Sequence, residues 1–186
     1  MNIAVFCGSS RGTNPQYAAH TEAFGRALAK AGHNLVYGGG HVGLMGVIAD
    51  AVLKENGHVT GVIPISLEQK ELAHGGVSEM HVVKDMHERK ALMANRADAF
   101  VALPGGVGTL EEIFEAWTWA QLGYHQKPVA FLEMGGFYAH LFALMDHMTH
   151  EGFVQPIHRE MLIIEQNPKH LLERLETYVP PKNKWE

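Results

Sequence analysis

A doubly wound, Rossmann-like α/β fold in a single domain is what the sequence predicts, on two observations. Short, continuously apolar runs alternate with segments of helical period, and glycine-rich turns follow the first, second and fifth of those runs. Strands buried on both faces need not alternate apolar with polar residues, so continuous runs argue for a parallel sheet covered on both sides. With 186 residues, 46% of them hydrophobic, the chain can build one substantial core.

The elements follow in order. Residues 2–7 (NIAVFC) read as a strand, then a turn, then a periodic helix over 15–31 that stops at Gly32. HNLVYGGG is the second strand with its turn, followed by a helix near 42–56 closed by Gly57. HVTGVIP is the third strand, and the stretch from Pro64 to Ser78 is the longest irregular loop, of the kind that often carries function. EMHVV precedes a helix near 86–96, DAFVALP a helix near 109–122 closed by Gly123, and PVAFLE a helix near 137–150. EMLIIE and a helix near 168–178 end the pattern; residues 1–180 are assigned to the domain and 181–186 to a solvated tail.

Composition removes several function classes. Fifteen Lys and Arg against 20 Asp and Glu give a net charge of −5, without the basic excess that binding to a nucleic-acid backbone requires. The opening MNIAVFCGSS lacks a basic leader, and no run approaches the roughly 20 apolar residues of a membrane span, so a cytoplasmic location is expected. Cys7 is the one cysteine, which leaves no internal disulfide and no CxxC pair; it reads as a small buried side chain rather than a nucleophile. The 13 histidines form no HExxH, and His74, His81 and His87 read as surface or polar-pocket residues rather than metal ligands.

In a doubly wound sheet the ligand crevice lies beyond the carboxyl ends of the strands, where CGSS, GGGHVG and PGGVGT all fall. Gly38, Gly40 and Gly43 match the dinucleotide spacing, but the next strand ends in GVIPIS without the carboxylate that would take a ribose hydroxyl. Tight turning and close helix packing account for the same glycines. In PGGVGT, Gly105 and Gly106 permit positive φ, and Gly108 with Thr109 opens a helix whose free amides can hold an anion. An ordinary strand–helix turn is the alternative.

Two carboxylates, Glu111 and Glu112, stand in the first turn of that helix, where the helix dipole favours them. With Thr109 as N-cap, Glu112 completes a capping box; a carboxylate this close to a bound phosphate would otherwise serve a more distant part of the ligand. In KDMHERKALM, Asp85 caps a helix with Glu88 as its capping-box partner, and Arg89 and Lys90 either project toward the crevice or form an exposed pair. Leu110, Ile113, Phe114 and Trp117 form a core-facing stripe, which leaves Trp119 and nearby Tyr124 on a second face suited to an interface.

These motifs closely resemble the LONELY GUY (LOG) family of cytokinin riboside 5′-monophosphate phosphoribohydrolases over nearly the whole chain. The family's Pro-Gly-Gly-x-Gly-Thr-x-x-Glu is met by Pro104 to Glu112, and its upstream signature by Met86 to Lys90. The resemblance implies hydrolysis of the N-glycosidic bond of adenine-type nucleoside 5′-monophosphates to a free base and ribose 5-phosphate. It implies Arg89 and Glu112 as the catalytic pair and Gly105, Gly106, Val107, Gly108 and Thr109 as the phosphate site. Glu71, Lys90, Leu110, Glu111 and Thr118 are implied around the nucleotide, with Ser9 and Ser10 as weaker candidates. It further implies a homodimer with each pocket near the partner chain, and the chemistry requires no metal or other cofactor. A lysine decarboxylase label, often attached to the family, would need a Schiff-base lysine that no motif here singles out. A non-catalytic nucleotide or molybdenum-cofactor carrier on the same scaffold is the alternative function.

Overall fold

The computed structural model describes residues 1–70 and 72–181. Seven strands form one sheet: β1 (Asn2–Phe6), β2 (Asn34–Tyr37), β3 (Val59–Pro64), β4 (Glu79–Val83), β5 (Ala99–Ala102), β6 (Val129–Leu132) and β7 (Leu162–Glu165). Their order is β4-β3-β2-β1-β5-β6-β7, and every pairing is parallel. The helices are α1 (Gln16–Lys30), α2 (Gly43–Lys54), α3 (Ile65–Glu68), α4 (Met86–Arg96), α5 (Val107–Gln121), α6 (Ala139–His150), α7 (Pro156–Glu160) and α8 (Pro168–Glu176). The strands and main helices lie where hydrophobic period places them. The short helices α3 and α7 were not foreseen, because one turn is too short to show a period.

Alternate residues of each central strand enter different cores. Ile3 and Val5 pack with Phe24 and Leu28 of α1, Leu44 and Ile48 of α2, and Leu171 and Leu175 of α8. Ala4 and Phe6 pack on the opposite face with Met93 of α4, Ile113 and Trp117 of α5, and Met145 of α6. Burial on both faces explains why β1 reads as an unbroken apolar run. Within the α5 stripe Ile113 and Trp117 are buried, while Leu110 and Phe114 are partly buried against the same core.

The winding reverses once. From β1 the chain adds β2, β3 and β4 outward on one side, then α4 carries it back across the sheet to β5 on the other side of β1. The two segments leaving β1 and β5 therefore diverge, and a crevice opens between them at the carboxyl end of the sheet.

Close approach of α1 and α2 holds one face of this arrangement. A Cβ placed on Gly25 would stand 2.8 Å from Ala51 Cβ and 3.1 Å from the Ile48 carbonyl oxygen. Gly25→Val is expected to lower stability by about 1–3 kcal/mol through overpacking, although Val is the better helix former. A urea titration checks it: the midpoint should fall with an unchanged slope.

Candidate active site

Three glycine turns meet at a crevice of about 440 Å³ at the switch point, with Gly8 and Ser9 from the first, Gly38 and Gly40 from the second, and Gly106, Val107, Gly108 and Thr109 from the third. They are tied to one another: the Gly8 amide donates to the Pro104 carbonyl at 3.0 Å, and the Leu44 amide donates to the Gly8 carbonyl at 2.9 Å. Gly43, at φ +62°, lets α2 begin directly against the Ser9 backbone. A Cβ at Gly38 would collide with the Arg89 guanidinium, so this glycine makes room for a protein side chain. The close-packing reading of GGGHVG therefore holds.

The third turn differs from expectation in two ways. Helix α5 begins at Val107, with Gly106 as its N-cap at φ −96°, and no side chain caps it. Thr109 is thus the third helical residue, buried against Gly105, and the Thr109–Glu112 capping box does not form. The sequence placed the helix start two residues late because glycine lowers helix propensity, whereas here Gly108 sits in the first turn. Gly105 and Gly106 also avoid positive φ. The need for glycine at Gly105 is steric, since a Cβ there would collide with Thr109; at Gly106 and Gly108 a Cβ would meet nothing within 4 Å. Both glycines line the crevice beside open space, and the amides of Val107, Gly108 and Thr109 precede the first intrahelical bond, Leu110 N–H to Gly106 O at 3.2 Å. Open space before unpaired amides at a helix N-terminus is an anion-binding geometry.

One helical turn on, Glu112 lines the same crevice with its side chain 12% exposed. Its carboxylate Oε1 lies 3.6 Å from Arg89 Nη1. Burial raises the Glu112 pKa above the usual carboxylate value; the Arg89 charge opposes that shift, and Glu111 adds to it. Arg89 is itself only 9% exposed, and its Nε donates to the Val62 carbonyl at 3.2 Å at the end of β3. Of the two readings of the Arg89–Lys90 pair, Arg89 follows the one that projects toward the crevice, because the fourth position of α4 faces inward.

Asp85 caps α4 as expected, accepting from the Glu88 amide at 3.0 Å. The reciprocal bond is displaced by one residue, because Glu88 Oε2 accepts from the Lys84 amide at 2.7 Å. Lys90 bridges α4 to α5 through Glu111 at 2.5 Å and Glu115 at 3.2 Å. The hydrogen bond to Glu111 is the chief cause that raises its pKa, so its ammonium form is favoured. Glu115 escaped the sequence reading, although two carboxylates four residues apart on one helix signal a cation between them.

The remaining candidates divide. Ser9 and Glu111 line the crevice with the turn that opens α5. The Ser10 hydroxyl instead accepts from the Gly12 amide, and Leu110 packs into the core. Thr118 is exposed farther along α5, where its hydroxyl donates to the Phe114 carbonyl at 2.7 Å. Glu71 lies outside the described residues. Its neighbour Leu72 reaches the crevice and accepts the His41 amide at 3.0 Å. Leu67, Leu72, Val42, Met45, Ile63 and Met86 give the crevice an apolar wall that no motif announced. Cys7 is buried at the crevice floor, and burial pushes its thiol pKa far upward, which fits an inert side chain. His74 pairs with Asp50 and His81 with Glu79 at the surface. Among the described residues no group of three or more His, Cys, Asp or Glu could hold a metal ion, and no helix is long and apolar enough to cross a membrane.

Comparison with known proteins adds the family. Residues 45–175 match a family described as "Possible lysine decarboxylase". Lys90, held protonated between two carboxylates, has the opposite state from the neutral amine that forms a Schiff base. A probable cytokinin riboside 5′-monophosphate phosphoribohydrolase of Oryza sativa subsp. japonica is 46% identical over 99% of this chain and 76% of its own length. The cytokinin riboside 5′-monophosphate phosphoribohydrolase LOG7 of Arabidopsis thaliana is 48% identical over 96% of this chain and 82% of its own. A solved molybdenum-cofactor binding protein from Rippkaea orientalis shares the fold, with a TM-score of 0.72 at 22% identity and 95% of each chain covered. The molybdenum-cofactor carrier protein of Chlamydomonas reinhardtii does likewise, with a TM-score of 0.72 at 19% identity over 95% of this chain and 98% of that one. Identity near one half across almost the full chain makes this protein a hydrolase of the LOG family of cytokinin riboside 5′-monophosphate phosphoribohydrolases.

Proposed function

We propose that the chain hydrolyses adenine-type nucleoside 5′-monophosphates, cytokinin riboside monophosphates and AMP among them, with Arg89 and Glu112 at the reacting bond. The observation that carries this reading is the shared placement of the anion turn and Glu112. Thr109 and Glu112 are three residues apart on one face of α5, so a phosphate at the Val107–Thr109 amides sets the ribose alongside Glu112. The base then meets the apolar wall of Met45, Leu67 and Leu72.

Cleavage adds the elements of water: hydroxide to the anomeric carbon and a proton to the departing base. Positive charge builds on the ribose as the bond to the base stretches. An ionised Glu112 stabilises that charge and accepts the proton of the attacking water. Desolvation makes the buried carboxylate more basic, and the Arg89 charge opposes that shift by favouring its ionised form. The distant phosphate contributes positioning, so binding energy gained at the turn is used at the bond that breaks.

A homodimer belongs to the same proposal. Tyr124 is 75% exposed, Trp119 is partly exposed, and Thr118 is exposed and does not line the crevice. The place of Thr118 in that exposed surface fits a contribution to the pocket of a second copy. A cytoplasmic location rests on the sequence alone.

Four measurements test the reading. Glu112→Gln should lower kcat for release of adenine from AMP by about 10²–10⁴-fold. Its stability should respond to pH in a defined sense. The raised folded pKa of Glu112 means that wild type loses stability as pH climbs from the ordinary carboxylate value through the folded one. Thermal melts should therefore show the Gln variant gaining on wild type across that window; wild-type turnover in the variant would reduce Glu112 to a structural residue. AMP should be cleaved with a far higher kcat/KM than adenosine, measured by chromatography of the free base. Equal values would remove the phosphate from the α5 turn, and tight AMP binding without adenine release would make the chain a carrier. Light scattering at micromolar concentration should give a dimer, and an active monomer would overturn the shared pocket.

A further inference from the structure

We infer that the hydroxyl of Tyr138 is a positioning group for the anion turn. It fixes the Leu103 carbonyl, and through it the Pro104–Gly105 segment, so that the first amides of α5 point into the crevice. The inference rests on the reading of that turn as the phosphate site.

Tyr138 comes from a part of the chain that no motif connects with the crevice: it is the N-cap of α6, beyond β6. It is 2% exposed, and its hydroxyl donates to the Leu103 carbonyl at 2.6 Å. Leu103 lies one residue past Ala102, the last position of β5 paired with β6, so its carbonyl stands at the point where the chain leaves the sheet for the turn. The three residues leading into the turn are each held from a different direction. Tyr138 takes the Leu103 carbonyl, the Gly8 amide takes the Pro104 carbonyl at 3.0 Å, and Thr109 packs against Gly105. Beyond them, Gly106 and Gly108 face open space. The phosphate-facing amides thus inherit their aim from the three preceding anchors.

The ring is as fixed as its hydroxyl. It meets Phe131 edge-on at 5.1 Å and Phe137 edge-on at 4.8 Å, with Phe142 at 5.9 Å. The Tyr138 amide donates to Glu133 Oε2 at 2.9 Å, and Glu133 is tied back to β7 by its own amide, which donates to the Glu165 carbonyl at 2.8 Å. Phenylalanine would fill this aromatic box as well as tyrosine. A buried hydroxyl among aromatic rings costs desolvation unless it is bonded, and its bond goes to the active-site turn. Burial also raises the phenol pKa far above neutrality, which keeps the hydroxyl a donor.

Tyr138→Phe removes that bond and preserves the box. The Ki of ribose 5-phosphate and the KM of AMP should each rise roughly 2- to 10-fold, the worth of one buried neutral hydrogen bond, while kcat/KM for adenosine stays unchanged. Glu133→Gln, which loosens the Tyr138 backbone but keeps its hydroxyl, should shift AMP in the same direction by less. Leu175→Ala, in the core on the opposite face of the sheet, is the control: it lowers the melting temperature without changing the AMP-to-adenosine ratio. The inference is overturned if Tyr138→Phe leaves AMP kinetics unchanged, if it lowers AMP and adenosine cleavage in equal proportion, or if the control shows the same selective loss. Absence of any AMP preference in wild type overturns the phosphate reading itself, which separates the two failures.

Discussion

The Glu112 carboxylate is kept almost out of water with one guanidinium 3.6 Å away, and much of the molecule is arranged to make that tolerable. A buried charge is costly unless paired. Pairing it with Arg89 requires α4 and α5 to be held at a fixed separation, which the Lys90 bridge to Glu111 and Glu115 reinforces from the solvent side. It also requires Arg89 to be anchored independently of Glu112, which the Val62 carbonyl provides, and Gly38 to lack a side chain. Strand β3, the turn after β2 and two helices thus converge on one ion pair. The distance of 3.6 Å exceeds a hydrogen bond, so the carboxylate retains hydrogen-bonding capacity for a ligand.

Charge is distributed in the crevice with the same economy. Helix α5 supplies two kinds of group: partial positive charge at its amide end and the Glu112 carboxylate one turn later. A nucleoside monophosphate has the complementary order, an anionic phosphate followed by a sugar that becomes cationic as its bond to the base breaks. The start of α5 at Val107 rather than Thr109 matters here. It brings Gly108 and Thr109 into the first turn, where their amides are free, and removes any side-chain cap that would compete with a ligand.

The sheet and the site were legible to different depths. Among the described residues every strand and six of the eight helices announce themselves through apolar runs and helical period, because burial on two faces writes itself directly into composition. The Pro104–Glu112 and Met86–Lys90 motifs pointed to the crevice because each follows a strand end with residues suited to a ligand, and Arg89 and Glu112 do line it. What stayed hidden depends on three-dimensional approach. The inward turn of Arg89, the role of Gly38 in making room for it, and the reach of Tyr138 to Leu103 each join segments with no relation in sequence. Thr109 misled for a local reason: threonine three residues before a glutamate satisfies the capping pattern wherever it occurs.

The return of the chain from β4 to β5 has a consequence for synthesis. Central strand β1 meets its first neighbour early, through β2, but the other edge waits for β5, with Ile3 finally opposite Ala99. A chain halfway through production can assemble β4-β3-β2-β1 as a half-sheet, with the apolar edge of β1 exposed. At that stage Arg89 lacks its partner Glu112 and the turn that opens α5 has not been made. Covering the open edge of β1 and pairing Arg89 with Glu112 therefore fall to adjacent stretches of chain, β5 and α5, while the outer edge of β5 stays open until β6 follows.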